Sequence, residues 1–123
     1  FLEDNILTIK LLGGPFTDEI IDNLFKILNV FYEICENKNK KFHCIYDTSD
    51  CKLIHLPNYL YYVTSISDFL LSKHNFYAKY LHNTLIITKT EFGKQLCNSI
   101  LLNYTPTRPV KFISSDDPID FNF

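Results

Sequence analysis

Two short runs constrain this chain most. FHCIYD (42–47) and TLIIT (84–88) are apolar at nearly successive positions and bounded by polar residues. Runs this short cannot be the amphipathic helices of a domain; they read as buried strands, and 42–47 as a parallel one. Between and around them lie segments with helical spacing, and that alternation decides the fold class.

The clearest helix is 17–37, TDEIIDNLFKILNVFYEICEN. Thr17 is placed as its N-cap, and Asp18 and Glu19 suit the positive end of the helix dipole. Ile20, Leu24, Ile27, Leu28, Phe31 and Cys35 form the expected inner face, widened by Ile21, Phe25 and Tyr32 toward a neighbour. A second helix is expected over 57–73, with Pro57 in its first turn, where the missing N–H has no partner to lose. Tyr59, Tyr62, Val63, Ile66, Phe69 and Leu70 share its inner face. Residues 74–83 read as partly helical or irregular. A third helix covers 91–104, with Leu96, Ile100 and Leu101 inward.

At the start, 5–13 reads as a strand ending in a Gly13-Gly14-Pro15 turn. VKFIS (110–114) is the last strand, and 115–123 is a polar turn and tail. The order is β-α-β-α-β-α-β. The expectation is one α/β domain over 1–123, a sandwich built on a mixed, mainly parallel sheet of four to five strands with three to four helices.

The composition fits a globular domain that buries its own core. Of 123 residues, 46% are hydrophobic and 21% charged. The formal charge of −2 argues against a general nucleic-acid binder. No apolar run approaches the roughly 18 residues of a membrane span, and no signal peptide is visible. The chain begins at Phe1 and has no Met, as expected of a piece of something longer. Cys35, Cys44, Cys51 and Cys97 are widely and irregularly spaced, which implies free thiols in a reducing, cytoplasmic setting.

HCIYDTSDC (43–51) gathers possible ligands: two cysteines, a histidine and two aspartates. On a strand, however, Phe42, Cys44 and Tyr46 face one side and His43, Ile45 and Asp47 the other. Cys44 and His43 then point apart, and no tight CxxC-type pair exists to anchor zinc. Neither a metal nor another cofactor is expected. A Cys51-His55-Asp47 triad can be drawn, but nothing in the spacing demands it.

The order of motifs resembles the STAS superfamily, the fold of anti-sigma-factor antagonists, in its divergent branch related to CRAL-TRIO domains. The resemblance rests on a strand ending in Gly, a long helix, an apolar strand ending YDTSD, then TLIIT, a helix and the closing TRPVKFISSDDPIDF. It implies a mixed sheet whose first strand is antiparallel to its neighbour. It also implies a non-catalytic module that binds a protein partner or itself, or alternatively a carrier or sensor of a lipid or other apolar ligand. Where that family carries a phosphorylatable Ser in an Asp-Ser-Ser-Gly stretch, this sequence has His55, Leu56, Pro57 and Asn58. No phospho-switch is therefore expected.

The same resemblance points to the loop after the second long strand, with Asp47, Thr48, Ser49 and His55 as candidate partner-binding residues. Helical geometry adds Leu60, Tyr61 and Leu71, which fall off the inner face of the second helix. Bases such as Lys38, Lys40, Lys41 and Arg108 collect at the opposite end of the expected sheet, where an acidic partner or an anionic membrane surface would meet them.

Overall fold

A computed structural model describes residues 2–3, 5–11, 17–50 and 56–123. In chain order the elements are β1 (Leu2–Glu3), β2 (Ile6–Lys10), α1 (Asp18–Lys38), β3 (Phe42–Asp47), α2 (Leu56–Ser72), α3 (His74–Tyr80), β4 (Leu81–Thr88), α4 (Glu91–Asn103) and β5 (Val110–Ser114). The Gly13-Gly14-Pro15 turn, Cys51 and His55 lie outside the described residues.

α1 begins and ends on side-chain chemistry. Thr17 is the N-cap, its Oγ1 accepting from the Ile20 N–H at 3.2 Å. At the far end Asn39 takes the left-handed conformation, φ 49°, which Asn tolerates better than most residues. Its N–H donates to the carbonyls of Cys35 and Glu36, while the Lys40 N–H donates to Cys35 O at 2.9 Å. With 21 residues, α1 is about 31 Å long at 1.5 Å per residue.

The sheet runs β1-β2-β3-β4-β5, in sequence order. β2, β3, β4 and β5 are all parallel, with Ile9, Tyr46, Ile86 and Phe112 in one row across them. One expectation is corrected here. The first long strand, β2, is parallel to β3, and the antiparallel member is the two-residue β1. The reason is α1: a helix this long carries the chain back to the starting edge of the sheet, so the next strand must run the same way. The fourth strand is also longer than TLIIT, because α3 ends at Tyr80 and pairing starts at once at Leu81.

Consecutive parallel strands joined by right-handed crossovers place every helix on the same side of the sheet. The main core lies there. Leu7, Ile9, Phe42 and Cys44 of the sheet pack with Leu28, Tyr32 and Cys35 of α1, Tyr77 and Tyr80 of α3, and Tyr104 after α4. Val63 of α2 and Leu96 of α4 form an adjoining cluster. α4 reaches the sheet closely because Gly93 has no side chain; a Cβ there would sit 3.0 Å from the carbonyl oxygen of Thr48.

The opposite face is also apolar. Ile45, Leu85 and Ile113 are buried on it, and Phe121 of the C-terminal tail packs against them. The tail is held by polar and ring contacts: Asn83 Nδ2 donates to Phe121 O at 2.8 Å, and the Phe121 ring lies 4.5 Å from that of His43. Asn83 is oriented in turn by His43 Nδ1, at 2.6 Å from its Oδ1. The polar-looking tail thus covers part of this face through one ring, Phe121.

α1 is turned relative to the sequence expectation. Its buried residues are Ile21, Leu28, Tyr32 and Cys35, whereas Ile20 and Ile27, expected inward, are 50% and 66% exposed. The neighbour lies on the other flank, where Phe25 stacks on Phe69 of α2 with centroids 4.2 Å apart.

Candidate functional site

The strand-end loop is held by its own side chains. Asp47 Oδ1 accepts from the Ser49 N–H at 3.0 Å and from Ser49 Oγ at 2.5 Å, a turn in which the carboxylate closes the chain on itself. Thr48 is 1% exposed and donates through Oγ1 to Ile87 O at 2.8 Å, beside its own N–H bond to the same carbonyl. Thr48 therefore fixes the loop against β4 and offers no surface. Asp47 and Ser49 are half-buried. Asp50, next along, meets Lys10 of β2 at 3.6 Å on the surface.

α2 presents the other three candidates outward. Its inner side is set by Tyr62 and Val63, both buried, and by Tyr59, whose hydroxyl bonds Ser99 Oγ of α4 at 2.6 Å. That orientation leaves Leu60, Tyr61 and Leu71 at 60%, 55% and 60% exposed. The Tyr61 ring stands edge-on to Tyr62, 5.3 Å between centroids, so its position is braced from within. Beside it a shallow groove runs between the starts of the two long helices, lined by Thr17, Asp18, Asn58, Tyr61 and Tyr62. The candidate residues thus fall into two groups, a buttressed loop at 47–49 and an uncovered apolar patch on α2.

The cysteines and histidines of 43–51 separate as strand geometry requires. Cys44 faces the helices and His43 the tail. Cys35 and Cys44 are buried free thiols, and Cys97 is buried as well. Burial pushes the Cys44 thiol up to about 12, so it is neutral and unreactive at physiological pH. Among the described residues no three His, Cys, Asp or Glu side chains gather closely enough to hold a metal ion. His82 is exposed and stacks on His43 at 4.7 Å, whereas His74 is half-buried against Tyr104. Desolvation, then the neighbouring His43, Lys41 and Arg108, holds His82 below the usual histidine range, which marks a small basic cluster at this end of the sheet.

Three features escaped the sequence reading. The first is a cavity of about 130 Å³ between sheet and helices, walled by apolar side chains such as Leu24, Phe25, Phe69, Ile86 and Ile100. The second is the hydroxyl cluster on its wall: Tyr32 and Tyr77 share a hydrogen bond of 2.9 Å, and burial raises both phenols, together with Tyr46, well above their ordinary range. The third is a second apolar stripe on α1, where Val30 and Ile34 join Ile20 and Ile27 on the surface, at 58% and 46% exposure. The seven-residue spacing of Ile20, Ile27 and Ile34 was the available signal for it.

Among the described residues no helix is long and apolar enough to cross a membrane. No family model matches the chain, and neither a curated protein nor a solved structure is significantly similar to it.

Proposed function

We propose that this chain is a non-catalytic, STAS-like interaction module of the cytoplasm that binds a protein partner through the outer face of α2. The observation that carries the reading is the exposure of Leu60, Tyr61 and Leu71 at more than half of their surface each. A braced tyrosine beside Leu60, with Leu71 further along the same helix, contributes large contact area at low entropic cost, the usual make-up of an interface anchor. The strand-end acid supports the same reading, because its carboxylate is already engaged by Ser49. Lys41 and Arg108, on either side of His82, are a second, electrostatic element, fitted to an acidic partner surface or an anionic lipid headgroup.

The test is the double substitution Leu60→Lys and Tyr61→Ser. Both side chains are exposed, so the variant should fold with an unchanged circular dichroism spectrum. Its affinity for the partner isolated with the unmodified chain should fall by about 2 kcal/mol or more, the scale of a hot spot. Unchanged affinity in the folded variant would end the proposal.

A second reading, a carrier of an apolar ligand, is favoured by the cavity, and its size limits that reading. Ligand pockets for drug-sized molecules start near 300 Å³, and an apolar cavity of about 150 Å³ takes a benzene-sized guest. At about 130 Å³ the space accepts a small ring or the end of one chain, not a whole lipid. Native mass spectrometry of protein from its own cells would detect such a guest directly.

A further inference from the structure

The outer stripe of α1 has a regularity that a random surface lacks. With Ile20 assigned to position a of a heptad, Ile27 and Ile34 recur at a, Val30 falls at d, and Asn23 and Asn37 occupy the other d positions. All four apolar residues are exposed by 46–66%. A helix that serves only its own core needs one apolar face; this one carries a second, β-branched seam running most of its length.

The charges beside the seam identify what fits it. Within α1, position g on the solvent side reads Glu19, Lys26 and Glu33, all exposed. In an antiparallel pair, position a packs against d of the other helix and g meets g. A second copy of α1 then places Lys26 opposite Glu33, twice by the two-fold symmetry. A parallel pair sets g against e, where the residues are Leu24, Phe31 and Lys38, and matches only Glu33 with Lys38. The antiparallel arrangement also opposes the two helix dipoles.

We infer that α1 is a self-association surface: two copies of the chain pair antiparallel along Ile20, Ile27, Val30 and Ile34, with register set by the Lys26–Glu33 charge pair formed twice. This surface is separate from the α2 patch and stands or falls independently of it.

Sedimentation equilibrium of the full chain over a range of concentrations tests the inference. The 14.5 kDa monomer should convert reversibly to a species of twice that mass. Ile27→Lys should abolish the dimer. Lys26→Glu should weaken it about tenfold, the scale of two exposed ion pairs turned repulsive. Lys26→Glu combined with Glu33→Lys should restore it, because the pair is re-formed with its signs exchanged. Circular dichroism confirms that each variant is folded, and the exposed position of Lys26 keeps the charge series informative even if Ile27→Lys unfolds. A chain that stays monomeric, a dimer indifferent to Lys26→Glu, or failure of the double charge swap to restore it would overturn the inference. Partner binding through Leu60 and Tyr61 is read separately, so loss of one result leaves the other standing.

Discussion

Phe42→Ala should cost about 3–5 kcal/mol of folding free energy, the range for removing a fully buried aromatic side chain. Phe42 is 1% exposed and starts β3, the central strand of the sheet. Its ring is met edge-on by Phe31 at 5.2 Å and flanked by Tyr32 at 6.0 Å and Phe76 at 6.1 Å. One side chain therefore joins β3 to both α1 and α3, and the space it leaves cannot be refilled without moving two helices. Domains of this kind are stable by roughly 5–15 kcal/mol, so the variant should unfold at far lower urea. A loss below about 1 kcal/mol would mean that the aromatic cluster is not packed as described.

Leu85→Ala probes the other layer. Leu85 is fully buried, on the face of the sheet opposite the helices, with Ile45, Ile113 and Phe121 around it. The expected loss is about 2–5 kcal/mol, measured by urea denaturation. The result discriminates between architectures. If the sheet were covered on one side only, Leu85 would lie on the surface and its truncation would be close to neutral. Phe121→Ala should shift stability in the same direction by a smaller amount, because Phe121 is only half-buried.

Much of the fold was legible because its signals are local. Thr17 caps the helix it was expected to cap, and FHCIYD and TLIIT are parallel strands of one sheet. The alternation along 42–47 correctly sends Cys44 and His43 to opposite faces of the sheet. The errors come from tertiary context. Ile20 and Ile27 carry the same helical spacing as the buried residues, and nothing in that period says which part of a wide apolar arc meets the sheet. The direction of the first strand followed from the STAS resemblance, and the long crossover through α1 reversed it. In the tail, Phe121 and Phe123 stand among Asp, Asn and Pro, and a polar average hides one half-buried ring. Its role follows only once Ile45 and Leu85 are seen to need a cover on the helix-free face. Of the candidate site, the helical wheel places Leu60 and Leu71 on the flank of the second helix and Tyr61 outward; that all three are exposed depends on where the neighbouring helices pack. The burial of Thr48 was not, because it depends on the carbonyl of Ile87 and on the missing side chain of Gly93.

Photo-crosslinking in the cells that make this protein tests most directly whether the outer face of α2 is the working surface, with a benzophenone amino acid placed in turn at Tyr61, Leu71 and, as a control on the opposite side of the sheet, Lys111. The probes at Tyr61 and Leu71 should capture one and the same protein, and the probe at Lys111 should not. Capture from Lys111 alone, equal capture from all three, or no adduct from either α2 position would contradict that expectation.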